Sequence, residues 1–172
     1  MRNIVLIGMM GCGKTTVGQL LAGRLGWSFT DTDAHIERAL GRTIPDVFAH
    51  EGEGFFRDWE RLAAEELAQG QELVIACGGG LPTRPEAIVP LKASGTVFWL
   101  DRDPGETYDT VSMAGRPLGQ GGRAAFLERY AQRELIYRRW ADHIIKGPRS
   151  PEEAAEAIME VLRHEIPDHQ RP

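Results

Sequence analysis

Cysteine is scarce in this chain: Cys12 and Cys77 are the two in 172 residues, with no spacing that suggests a zinc site or a disulfide framework. Reduced thiols in a cytoplasmic setting are the expectation. Long apolar runs are missing too. None approaches the roughly 18 residues of a membrane span, and Met1 leads straight into a strand-like segment without a signal-type stretch. No membrane partner is therefore expected. Positive charge is not in surplus, since 20 Lys and Arg face 25 Asp and Glu for a net charge of -5. That balance argues against a general nucleic-acid surface and leaves room for a local basic pocket. There is no internal repeat, and 42% hydrophobic residues suit one core and one domain.

What is present is organised around Gly8-Met9-Met10-Gly11-Cys12-Gly13-Lys14-Thr15, the pattern of a phosphate-binding P-loop. It has the context the mechanism needs. The apolar run Asn3 to Ile7 precedes it, and Thr16 to Leu25 follows with helical spacing at Val17, Leu20, Leu21 and Leu25. Glycines let successive backbone N–H groups of Gly11, Cys12, Gly13 and their neighbours through Thr16 turn toward phosphate, and the positive end of the following helix favours the anion. Lys14 would add charge at the outer phosphates, and Thr15 a hydroxyl for Mg2+.

Further strands are read at Trp27 to Thr30, Leu73 to Cys77, Thr96 to Leu100 and His143 to Ile145. Between them fall short helical pieces broken at Gly41 to Pro45, a helix over Phe55 to Leu67, loop and helix over Leu81 to Leu91, and helices over Ala124 to Arg139 and Pro151 to His164. Five strands alternating with helices predict an α/β fold, a three-layer domain on a parallel sheet, spanning 1–165. The glycine-rich stretch from Pro104 to Arg123 reads as a mobile loop, with a lid at about 112–122, and 166–172 as a disordered tail.

The usual P-loop metal carboxylate, at the end of a second buried strand, has no counterpart at Cys77. Asp31 and Asp33, ending the neighbouring strand, are the best substitutes, although the same triplet also suits a helix cap. No Asn-Lys-x-Asp segment is present to read guanine, so a small-molecule kinase is favoured over a GTPase. Such an enzyme needs cations for the transferred group, and Arg57, Arg116 and Arg133 lie on three separate segments.

Taken in order, Gly8 to Thr16 with Gly18, Asp31-Thr32-Asp33, Gly52-Glu53 with Phe56-Arg57 and Glu60, Gly78-Gly79-Gly80, Arg116-Pro117-Leu118, and Arg133 with Tyr137 and Ala141-Asp142 resemble the shikimate kinase family from Asn3 to Leu162. The resemblance implies a P-loop kinase fold with a central five-stranded parallel sheet. It also implies MgATP-dependent phosphorylation of the shikimate 3-hydroxyl, a step of aromatic amino-acid biosynthesis, by a monomer. Arg57 and Arg133 would then grip the substrate carboxylate, with Glu60 orienting Arg57. Asp33 would hold ring hydroxyls and accept the 3-hydroxyl proton, and Gly79 and Gly80 would offer backbone N–H groups. Arg116 would join Lys14 on the phosphates, and Thr15 and Asp31 would serve Mg2+. Two departures stand out. The family usually carries an arginine against adenine where this chain has Thr107 to Ser112, and an apolar residue where it has Gly119. A related kinase for gluconate or another hydroxy acid, and a nucleotide-dependent regulatory module, remain alternative readings. His35 and His50 lack metal-ligand spacing.

Overall fold

β1 (Asn3–Ile7) is buried along its whole length, and its side chains alternate between two apolar layers, as the two-residue period of a strand requires. Ile4 and Leu6 join Val74, Phe98 and Leu100 against α1 (Lys14–Leu25) and α8 (Pro151–Glu165). Val5 and Ile7, with Ile75, Val97 and Trp99, meet α4 (Gly52–Leu67), α5 (Pro85–Ser94) and α7 (Gly122–Trp140) on the other side. This computed structural model describes residues 2–113 and 121–165.

Around β1 lie β2 (Ser28–Asp31), β3 (Leu73–Ala76), β4 (Gly95–Asp101) and β5 (His143–Lys146), in the order β2-β3-β1-β4-β5 with every neighbouring pair parallel. The three-layer α/β sheet expected from the alternating pattern is the one observed. Register then brings distant motifs together. Leu6 lies beside Ala76, and Ala76 beside Asp31, so the loop after β1, the Asp-Thr-Asp triplet and the glycines after β3 emerge side by side at the carboxyl end of the sheet. Close packing explains Gly18, since a Cβ there would run into the Phe29 ring of β2.

α2 (Thr32–Leu40) and α3 (Ile44–His50) are the short helices read around Gly41 to Pro45, although Pro45 proves to lie in the first turn of α3, where it sacrifices no helical hydrogen bond. They pack Ile36 and Val47 against Phe56 and Ala63 of α4. β2 runs one residue later than read, leaving Trp27 out and taking Asp31 in.

One larger expectation is corrected. The stretch from Pro104 was read as loop, yet Pro104–Met113 is α6. Asp103 starts it, with Oδ1 accepting from Glu106 N at 2.8 Å, and Thr107 and Val111 are buried. At its far end the loop also loses Gly122, which opens α7. The remaining lid positions 114–120, Arg116 among them, and the tail 166–172 lie outside the described residues.

Candidate active site

The loop between β1 and α1 owes its shape to glycine at φ values of 80° for Gly11 and 98° for Gly13, which side chains rarely adopt. α6 braces it from behind, for a Cβ on Gly11 would stand 2.7 Å from Val111 Cγ2. Cys12 is buried, so its backbone is what it offers a ligand. Lys14 is itself almost fully buried, and its Nζ donates to the carbonyl oxygens of Gly8 and Met9, at 2.9 Å each. Thr15 Oγ1 donates to Asp31 Oδ2 at 2.9 Å.

Each residue of the Asp31-Thr32-Asp33 triplet has its own task. Asp31 Oδ1 caps α2 by accepting from the backbone N–H groups of Asp33 and Ala34, while Oδ2 holds Thr15, so capping and proximity to the phosphate loop coexist in one carboxylate. Thr32 is wholly buried, and its Oγ1 accepts from Gly78 N at 2.9 Å. Asp33 Oδ1 is buried among the described residues without a hydrogen-bond partner. Burial pushes the Asp33 carboxyl up to about 6, helped by the negative charges of Asp31 and Glu60 and opposed by Lys14. A carboxyl in that state is a candidate proton acceptor.

Asp33 has this room because of Gly78: a Cβ there would stand 2.5 Å from Asp33 Oδ1. The neighbouring glycines are hemmed in less severely. A Cβ on Gly79 would lie 3.2 Å from Met10 N, and one on Gly80 3.1 Å from Arg57 Nη1 and 3.6 Å from Arg133 Nη2. Tyr137 of α7, fully buried, donates its hydroxyl to Gly79 O at 2.7 Å. Burial raises that phenol to about 12, so it remains a donor at neutral pH.

Two cavities meet at this turn. The first, of about 210 Å³, is lined by Gly11, Gly13, Lys14, Thr15 and Asp31. The second, of about 320 Å³, is lined by Arg57, Arg133, Arg129, Glu60, Phe56 and Ile44. They share Met10, Asp33, Gly78 and Gly79. In the second cavity Arg57 Nη1 lies 2.5 Å from Glu60 Oε2, with Glu53 on its other edge at 3.0 Å. Burial pushes the Glu60 carboxyl up, and Arg57 opposes it.

The structure thus places Gly11, Gly13, Lys14, Thr15, Thr16 and Asp31 at one cavity, Arg57, Arg133 and Gly80 at the other, and Asp33 and Gly79 on the wall they share, while Cys12 is buried in the loop and lines neither cavity. Sequence reasoning missed Arg129, although it precedes Arg133 by one helical turn, and the tasks of Thr32 and Tyr137. A hydroxyl and a carboxylate from Thr15 and Asp31 suit Mg2+, which takes few protein oxygens and completes its shell with phosphate and water. Among the described residues no group of three or more His, Cys, Asp or Glu could hold a metal alone. His35 and His50 lie apart, against Glu66 and Asp46.

A family model described as shikimate kinase matches residues 10–163. Shikimate kinase of Clostridium beijerinckii is 40% identical over 163 residues, covering 94% of this chain and 96% of the relative. That of Symbiobacterium thermophilum is 43% identical over 169 residues, with the same coverages. The shikimate kinase from Acinetobacter baumannii, solved in complex with shikimate, superposes with a TM-score of 0.87 at 34% identity, covering 97% of this chain and 96% of that one. The parallel sheet, the phosphate loop beside Asp31 and the arginine-lined second cavity sit in a chain that matches these relatives nearly end to end, and this chain belongs to the shikimate kinase family.

Proposed function

We propose that the protein transfers the γ-phosphoryl group of ATP to the 3-hydroxyl of shikimate, giving shikimate 3-phosphate and ADP for aromatic amino-acid biosynthesis. The observation that carries this reading is the position of Asp33, on the wall shared by the phosphate-loop cavity and the arginine-lined cavity, with a buried oxygen that has no hydrogen-bond partner among the described residues and a raised carboxyl.

On this reading Arg57 and Arg133 hold the shikimate carboxylate through charge-assisted hydrogen bonds, which turn the ring so that its 3-hydroxyl faces Asp33. Asp33 accepts the hydroxyl proton as the oxygen forms its bond to the γ-phosphorus and the bond to the β-phosphate oxygen breaks. The backbone of Gly11, Cys12, Gly13 and Thr16 cradles the phosphates. Lys14 exchanges its hydrogen bonds to Gly8 and Met9 for the outer phosphate oxygens, and Arg116 adds a second positive charge. Thr15 and Asp31 would hold Mg2+, which neutralises charge on the β- and γ-phosphates when bound. On this reading the protein is a monomer in the cytoplasm whose partners are small molecules, without nucleic acid or membrane; among the described residues no helix is long and apolar enough to cross a membrane.

Release of ADP, followed with Mg2+, ATP and each of shikimate, quinate and gluconate, tests the assignment. Turnover should be confined to shikimate. Preference for gluconate would transfer the site to a hydroxy-acid kinase, and no turnover of any acid would leave a nucleotide-binding module.

A further inference from the structure

The Gly78–Gly80 turn borders each working part of the site. A Cβ on Gly78 would meet the Asp33 carboxylate, one on Gly79 the backbone of Met10 and Gly8 in the phosphate loop and the Arg133 guanidinium, and one on Gly80 the guanidinium groups of Arg57 and Arg133. Since the turn has no side chains, its backbone is the spacer between the donor cavity and the acceptor cavity. Its placement then fixes how far the phosphate loop stands from the arginine pair. Within its own segment it is closed by Leu81 N to Gly78 O at 3.0 Å and Thr83 Oγ1 to Gly80 O at 2.6 Å. Those bonds set its shape but tie it to nothing else.

Two buried hydroxyls from other elements give it a fixed position. Thr32, at the start of α2, accepts from Gly78 N at 2.9 Å, and Tyr137, on α7, donates to Gly79 O at 2.7 Å. Both residues are fully buried. Each also adjoins a residue assigned to the reaction: Thr32 is next to Asp33 in the chain, and Tyr137 lies one turn beyond Arg133 on α7. Tyr137 reaches the phosphate loop as well, with its hydroxyl 3.8 Å from Met9 Sδ.

We propose that Thr32 and Tyr137 are positioning residues for phosphoryl transfer: their hydroxyls clamp the glycine turn from two separate helices and set the registration of acceptor against donor. Neither touches the reacting atoms. The inference rests on the shikimate kinase reading of the site.

Thr32→Val and Tyr137→Phe remove one hydroxyl each with little change in shape. Each should raise the KM for shikimate and lower kcat, with kcat/KM down about tenfold, between the loss of one hydrogen bond and the 10²-fold effect of a 1 Å misplacement. The KM for ATP and the binding of a non-hydrolysable ATP analogue should stay at wild-type values. Thr32→Ser, which keeps the accepting oxygen, should restore most of the activity. The double variant should lose less than the product of the single losses, because one release already frees the turn. Thermal unfolding shows which variants are folded at the assay temperature, and the Val and Ser pair at Thr32 decides the matter if Tyr137→Phe does not fold. An unchanged KM for shikimate in folded variants, or a Ser variant as impaired as Val, would overturn the proposal alone. A wild-type chain inactive on shikimate would overturn it together with the reading it rests on.

Discussion

Glu60 Oε2 lies 2.5 Å from Arg57 Nη1, one turn along α4, and the Glu60 side chain is 2% exposed. Arg57 is therefore aimed into the acceptor cavity by a partner sealed from water, while Glu53, on its other edge, is open to solvent. The two carboxylates should behave differently. Glu60→Ala removes the buried partner and leaves Arg57 held by Glu53 alone, so it should destabilise the protein by about 1.5 to 3 kcal/mol and raise the KM for shikimate. Glu53→Ala removes a solvent-screened contact and should cost less than about 0.5 kcal/mol. Chemical denaturation of both variants checks the contrast, and equal losses would refute it.

Asp33 sets a pH dependence whose sign follows from its burial. Its carboxyl rises from the ordinary 3.8 to about 6 in the folded protein, so between these values the native state holds a proton that the unfolded chain has lost. The stability this group contributes is complete below its unfolded value and is lost as pH rises through about 6. Asp33→Asn cannot ionise. With a chelator present to keep divalent cations away, it should be more stable than wild type at about pH 8, by up to about 3 kcal/mol, and no more stable at about pH 4. Turnover should fall by about 10²- to 10⁴-fold in the same variant. A destabilised variant at about pH 8 would contradict the sign.

How much of this was legible in the sequence depends on how local each feature is. The phosphate loop, the apolar run of β3 and the acids ending β2 are short contiguous patterns, and parallel pairing alone then brings them level. α6 was illegible because its Gly105 and the glycines beyond it carry the composition of a loop, while what makes it a helix is the Asp103 cap and the burial of Thr107 and Val111, the latter directly behind Gly11. The clamp on the glycine turn was hidden for a related reason. Thr32 and Gly78 are 46 residues apart, and Gly79 and Tyr137 are 58 apart, so neither contact has any trace in local periodicity. Arg129 needed one step more, the knowledge of which face of α7 meets the cavity.

Asp31 divides its oxygens between a helix cap and Thr15, and substitutions can separate the two tasks. Asp31→Asn keeps an oxygen for the cap but loses the charge, so stability should hardly change while the Mg2+ concentration for half-maximal rate rises by about 10- to 100-fold. Asp31→Ala should show the same metal defect and also lose about 1 kcal/mol of stability with the cap. Mg2+ titrations of initial rate, set beside denaturation curves, read the two effects independently. An unaltered Mg2+ requirement in both variants would remove Asp31 from the metal site.

The positive charge of the acceptor cavity comes from two helices. α4 supplies Arg57, flanked by Glu53 and Glu60, and α7 places Arg133 and, one turn earlier, Arg129 on the cavity wall. Hydrogen bonds to charged groups contribute about 1.5 to 3 kcal/mol, so Arg133→Ala should raise the KM for shikimate by about 10- to 100-fold. Arg129 is half-buried like Arg133 and lines the same cavity, and Arg129→Ala should raise KM a few-fold, more at low ionic strength than at high. The methyl ester of shikimate lacks the charge these residues recognise. It should bind weakly to the wild-type protein and lose little more on either substitution. Steady-state kinetics with acid and ester separates recognition of the carboxylate from general damage to the cavity, because damage would weaken both ligands alike.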